Sequence, residues 1–322
     1  MIRMGGADEY IESMSTQGSP RADIGIMAYN EERNIGKLLD SLLVQTALDR
    51  IDSIVVVASG CTDRTCEIVE SYRAREPRIK LIAEAARTGK VAAINQFLFS
   101  AEAEILFVSG ADLVFFPDTL ERMLEPFSDP EVGMVGAHPI PVDATNTFFG
   151  YAVNLMWTLH HDISLHDPKM GELIAFRNVF RRINPSSICD ELGVYQFVRA
   201  AGYKTVYAAD ARLHNKGPEN LKDFVSQRMH CIVGNLQIMH DHNVPVSTMR
   251  TLPVLRAAIP RALRDWRKLH WTVAAGAIEL YCRVRARSQF RSDKQRQQYQ
   301  VWEPIESSKS VEGDAARTKI AH

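Results

Sequence analysis

Residues 105–116 read ILFVSGADLVFF, and the reading of this stretch decides the fold. Ile105 to Val108 is an apolar run of buried-strand length. It breaks at Ser109-Gly110, and a single carboxylate, Asp112, follows two residues later, before apolar residues resume. That order pins Asp112 at a strand end. In an open α/β sheet, ligands bind outside the carboxyl ends of the strands. A carboxylate there can hold a hard cation, which in turn neutralises a diphosphate. From these residues alone, a solvated turn aspartate is an equal reading.

Upstream, strand and helix alternate. Ala22 to Ala28 forms a first strand that ends at Tyr29-Asn30-Glu31-Glu32, and Ile35, Leu38, Leu39, Leu42 and Leu43 then fall on one helical face. Ser53 to Ala58 is nearly all β-branched, as a strand covered on both faces requires. It runs into Ser59-Gly60-Cys61-Thr62-Asp63, where Asp63 can cap the next helix. Arg78 to Ala83 is a weaker strand, and Gly89-Lys90 opens a helix leading to Ile105. Short connections between alternating elements predict a mostly parallel sheet flanked by helices. Gly89-Lys90 continues into Val91, so it is no Walker A loop, and no GxGxxG follows the first strand.

Downstream, a helix through Leu120 and Leu124, a strand over 132–137 and an aromatic helix over 147–161 are expected. His160, His161 and His166 read as polar surface around a loop rather than a metal site, because no carboxylate or cysteine stands at ligand spacing. Residues 171–177 suggest a strand feeding a charged turn. Asp190-Glu191 precedes a helix that ends at Gly202, and a strand over 204–208 is followed by Asp210 and His214. A long helix covers 219 to about 240. Residues 250–296 then hold twelve Lys or Arg against three Asp or Glu, interleaved with Trp266, Trp271 and Tyr281. Helices on an anionic membrane surface and a basic face packed on the preceding domain both account for that pattern.

Composition narrows the partners. The 322 residues contain 38 Lys and Arg against 39 Asp and Glu, a balance that excludes a general nucleic-acid footprint. Five cysteines without CxxC spacing argue against a disulfide framework and a structural zinc site. The N-terminal residues lack an apolar core, and the run from Trp271 to Cys282 is too short to span a bilayer. The expected organisation is a disordered leader (1–21), a catalytic-type α/β domain (22–243), a basic helical extension (244–292) and a disordered tail (293–322). The expected location is cytoplasmic, with peripheral contact at the inner face of the membrane.

The loop residues, taken together, resemble the family 2 glycosyltransferases, inverting enzymes with the nucleotide-sugar-binding GT-A fold. The resemblance covers roughly 22–240. It rests on Tyr29-Asn30-Glu31-Glu32, Ser59 to Thr65, Gly89-Lys90 through Asn95, Gly110-Ala111-Asp112, Asp190-Glu191, and Gln227-Arg228 with Gly234. It implies that Asn30 and Glu32 contact the nucleotide, that Ser59 to Asp63 line the base and ribose pocket, and that Lys90 lies near the base and ribose. Asp112 matches the last aspartate of the family's DxD metal motif, and His214 stands where some GT-A enzymes supply a histidine to the same Mg²⁺ or Mn²⁺. Asp190 and Glu191 match the acidic pair that deprotonates the acceptor hydroxyl. Which of them is the base stays open, with Glu191 preferred. Gln227 and Arg228 match the start of QxxRW, on the acceptor and diphosphate side.

Three departures accompany the resemblance. Gly110 replaces the first acid of DxD, Ala58-Ser59 replaces the acidic pair common after the second strand, and Gln227-Arg228-Met229-His230-Cys231 lacks the tryptophan. The implied activity is transfer of one sugar from a nucleotide-diphosphate donor to a saccharide or lipid-linked acceptor in cell-surface glycan or glycolipid synthesis. The alternative is a catalytically silent GT-A protein that binds nucleotide sugar or a partner transferase. A nucleotidyltransferase would need a glycine-rich basic loop after the first strand, and Tyr29 to Glu32 is the wrong chemistry for it.

Overall fold

The structure, a computed structural model, describes residues 20–184, 190–243, 245–296 and 306–308. Among the described residues eight strands form one sheet: β1 (Ala22–Ala28), β2 (Ile51–Ser59), β3 (Ile79–Glu84), β4 (Ile105–Gly110), β5 (Val114–Phe115), β6 (Val132–Pro141), β7 (Leu173–Arg177) and β8 (Lys204–Asn215). Their order is β3-β2-β1-β4-β7-β6-β8-β5. The first four positions are parallel. Beyond them the sheet is mixed, because β7 runs antiparallel to both β4 and β6, β8 is parallel to β6, and β5 is antiparallel to β8. The expectation of a mostly parallel sheet holds, with four of the seven pairings parallel and the antiparallel ones made by β7 and β5.

The two-residue period of the strands sorts their side chains into two layers. Ile24, Ile26, Ile54, Val56, Ile105 and Phe107 meet Ile35, Leu38 and Leu42 of α1 (Ile35–Leu43), backed by α2 (Thr65–Arg73). Met27, Val55, Val57, Leu106 and Val108 meet Ile94, Phe97 and Leu98 of α3 (Lys90–Ser100) on the opposite face. Gly25 is required by that packing, since a Cβ there would stand 2.4 Å from the Phe97 ring. At the bottom of β1, the buried Asp23 carboxylate accepts from Ser53 Oγ (2.6 Å) and from the backbone N–H groups of Glu102 and Ala103 (2.9 and 3.0 Å).

The remaining helices are α4 (Thr119–Leu124), α5 (Phe148–Ser164), α6 (Asp190–Ala200), α7 (Leu221–Asp241), α8 (Thr251–Arg264) and α9 (Leu269–Arg296). α9 packs on α7 through Cys282, Ala286 and Phe290 against Ile232 and Val233. Among the described residues no helix is long and apolar enough to cross a membrane. The leader expected at 1–21 lies outside the described residues except for 20 and 21, where Arg21 bonds Asp52. Of the tail expected from 293, residues 293–296 continue α9, and in the short turn Glu306–Ser308 the Ser307 hydroxyl accepts from the Glu219 N–H and donates to Asp223; 297–305 and 309–322 lie outside the described residues.

Three local expectations change. β8 continues to Asn215, so Asp210 and His214 lie in a strand and not in a loop after one. α6 begins at Asp190, which places Glu191 inside its first turn. His160 is buried in α5 beside Trp157 and Tyr207, and His161 stacks on His138 at 4.0 Å, so these histidines are aromatic packing and not a polar loop surface. Burial without a compensating charge pushes the His160 imidazole down to about 3.

Candidate active site

The carboxyl ends of β1 and β2 carry two loops that bond each other. Asn30 adopts φ 53°, and its amide receives the Thr62 N–H (2.8 Å) and faces the Thr62 hydroxyl (3.3 Å). The N–H of Glu31 donates to Thr65 Oγ1 (2.8 Å) and that of Glu32 to the Asp63 carboxylate (3.0 Å). In return, Glu32 accepts the Arg64 N–H at 3.2 Å, and Asp63 accepts the Thr65 N–H at 3.0 Å. Asn30, Glu32 and Asp63 thus hold the shape of the loop pair. Ser59 is buried, and its hydroxyl accepts the Thr88 N–H at 3.0 Å. Gly60 (φ 66°) lets the 84–90 segment lie across this loop, because a Cβ there would meet the Arg87 nitrogen at 2.4 Å. Arg87 covers the Tyr29 ring at 4.3 Å.

The next wall comes from β4. Asp112 is half-buried and folds back over Gly110, so that a Cβ on Gly110 would lie 2.7 Å from Asp112 Oδ1. The space of the missing first acid is already occupied by the second. Directly across the antiparallel β4–β7 ladder, where Ser109 pairs with Leu173, the next position opposite Gly110 is Glu172. Sequence reading assigned Glu172 no role.

Glu172 is partly buried, and Asn215 of β8 donates to its Oε1 at 3.4 Å. Its carboxyl is pushed up to about 7, first by burial and then by the charge of Asp112; Lys90 opposes the rise and Glu191 adds to it. The chain therefore brings Lys90, Asp112, Glu172 and Glu191 into one electrostatic cluster. These residues come from the start of α3, the end of β4, the start of β7 and the first turn of α6. Asp190 opens the same helix, and its side chain is outside the described set.

His214 pairs with Val114 across β5 and β8, alongside the turn that carries Asp112, and its ring lies 4.7 Å from that of Phe116. Its Nδ1 stands 3.2 Å from the Ile140 carbonyl. A carbonyl only accepts, so Nδ1 carries a proton, and in the neutral tautomer that this bond selects the lone pair is on Nε2. Metal-ligating histidines commonly have that arrangement. No three His, Cys, Asp or Glu side chains among the described residues form a metal cage. Asp112 and His214 with phosphate oxygens and water nevertheless suit Mg²⁺ or Mn²⁺, which are usually held by few protein ligands.

On α7, Gln227 is half-buried, and Arg228 grips Glu279 of α9 with two bonds of 3.0 and 3.2 Å. Arg283 joins the same carboxylate at 2.8 Å. Burial alone would raise the Glu279 carboxyl, but the two guanidiniums outweigh it and hold the group near about 2. Arg228 thereby ties the QxxRW-like position to the C-terminal helix.

Comparison with known proteins identifies the family and the fold. The model of the family "Glycosyl transferase family 2" matches residues 23–191, from β1 to the Asp190-Glu191 pair. The Beta-monoglucosyldiacylglycerol synthase of Synechocystis sp. is 30% identical over 37% of this chain and 25% of its own length. Glycosyltransferase AglE of Haloferax volcanii is 27% identical over 52% of this chain and 53% of its own. The chain thus spans about half, or less, of these relatives. Among solved structures, the mannosyltransferase PcManGT of Pyrobaculum calidifontis, in complex with GDP-Man and Mn²⁺, superposes with a TM-score of 0.57 at 22% identity, over 89% of this chain and 83% of that one. That likeness establishes the GT-A fold. With the family match covering more than half of the sequence, the chain belongs to glycosyl transferase family 2.

Proposed function

We propose that the chain transfers one sugar from a nucleotide-diphosphate donor to an acceptor hydroxyl with inversion at the sugar carbon. What supports this most is the convergence of Lys90, Asp112, Glu172 and Glu191 at the carboxyl end of β4, where α/β sheets bind ligands. The loops at 29–32 and 59–65 frame the nucleoside, with Lys90 on the base and ribose side. Asp112 and His214 would hold the divalent cation, with Glu172 as a further carboxyl opposite Gly110 across the β4–β7 ladder. When bound, that cation neutralises the departing diphosphate.

Glu191 takes the proton of the acceptor hydroxyl, and Asp190 supports the turn that aims it. Loss of a general base costs roughly 10²- to 10⁴-fold in rate. Gln227 lies on the acceptor and diphosphate side, and Arg228 steadies that wall through Glu279. Saccharide and lipid-linked acceptors both fit the reading, in surface glycan or glycolipid synthesis at the inner face of a membrane; the lipid product named for the Synechocystis relative favours the lipid class.

A screen of UDP, GDP and dTDP sugars with Mn²⁺ or Mg²⁺, scored by nucleotide diphosphate release, tests the proposal. Turnover of at least one donor, lost in Glu191→Gln with donor binding kept, supports it. Donor binding without turnover against any acceptor class selects the catalytically silent alternative. Absence of donor binding overturns both.

A further inference from the structure

Helix α8 is amphipathic in reverse. Leu252, Leu255, Ile259 and Leu263 recur at helical spacing and are 58, 47, 54 and 72% exposed. No residue of the helix is buried. Its opposite side is fastened by charge, through two bonds of 2.6 and 2.7 Å from Arg261 to Asp162 of α5. A surface helix ordinarily does the opposite, with its apolar stripe inward and its ions in water.

The pattern continues past the corner. Trp266 is 69% exposed, and α9 then turns Leu269, Val273, Leu280 and Val284 outward along one line. The inward side of α9 is fully used, by Cys282, Ala286 and Phe290 against α7 and by Glu279 with Arg228. The outward row is therefore distinct from the packing face of α9. Exposed apolar rows on two successive helices mark an interaction site.

Charge identifies the occupant. Arg256, Arg264 and Arg267 stand exposed beside the α8 row and its corner, and Arg285, Arg287 and Arg291 beside the α9 row. The acids within residues 250–292 are Asp265 and Glu279, and Glu279 is engaged by Arg228 and Arg283. A second copy would bring the same cationic rim against this one. An anionic lipid surface matches it, with leucines entering the acyl boundary and arginines at the headgroups. We infer that the outward faces of α8 and α9 form a docking surface for an anionic bilayer, lying flat on it without crossing. This holds whether or not the chain transfers a sugar.

Co-sedimentation of the full chain with vesicles of phosphatidylcholine mixed with phosphatidylglycerol, and with phosphatidylcholine alone, tests it. Binding is expected at low salt on the anionic vesicles only. It is expected to fall on the order of tenfold or more in Arg256→Glu/Arg264→Glu, and similarly in Ile259→Glu/Leu263→Glu. Circular dichroism should be unchanged in both. If the glutamate variants misfold, Ile259→Ser/Leu263→Ser replaces them, with the same expectation. The inference is overturned if the wild type ignores anionic lipid, if the folded row variants bind undiminished, or if light scattering shows a dimer that the row variants dissociate while vesicles bind nothing.

Discussion

Glu172 holds its proton into the neutral range because burial and the Asp112 carboxylate both oppose its charge. Its folded pKa lies above the unfolded value of 4.5, so its contribution to stability is complete below about pH 4.5 and is lost as pH rises through about 7. Glu172→Gln keeps the neutral form at every pH. The variant should therefore show a flatter stability curve between pH 5 and 8 (roughly the interval of the shift) and gain about 1–2 kcal/mol over the wild type at the upper end. Urea unfolding across pH reads this directly, and parallel curves for the two proteins would refute it. For Glu191, the expectation is kinetic: Glu191→Gln should cut kcat by about 10²- to 10⁴-fold with donor affinity retained. Asp190→Asn should have a smaller effect. A reversed ranking would exchange the two roles.

The elements explain what sequence reading reached and what it missed. β1, β2 and β4 were legible because each is an apolar run that both layers cover. The expected strand stops at Ala208 because Asp210 and His214 read as loop residues, although Ala211, Leu213 and Asn215 alternate with them and are buried. Glu172 carries no motif, and its place opposite Gly110 exists only through the antiparallel β4–β7 pairing, which a parallel expectation hides. Sequence reading registered the cations and aromatics of 250–296 but not the apolar row of α8, which faces away from the side that carries the Arg261–Asp162 pair. Helix α9 depends on Glu279, whose folded pKa of about 2 lies below its unfolded 4.5. Its stabilisation is present above about pH 4.5 and lost as pH falls toward 2. Glu279→Ala leaves two guanidiniums without their anion. It should cost about 2 kcal/mol, less than the ~3–5 of a fully buried pair because the site is partly open to water. A melting temperature unchanged from the wild type would show that α9 docks without this carboxylate.

At the scale of the whole molecule, the sheet gathers the proposed chemistry at one edge, and the C-terminal helices form a separate face. The loops at 29–32, 59–65 and 110–112 and the starts of α3, β7 and α6 contribute to the first. The cationic helices α8 and α9 form the second and are joined to the first by Arg228 and Glu279. The central claim is that Asp112 binds nucleotide diphosphate through a divalent cation. Isothermal titration calorimetry of UDP and GDP, with and without Mn²⁺, on wild type and Asp112→Asn tests it most directly. The account predicts binding of at least one nucleotide that requires Mn²⁺ in the wild type and weakens on the order of tenfold or more in the variant, as removal of a charged ligand entails. Equal affinity in the two proteins, or binding indifferent to Mn²⁺, would contradict it.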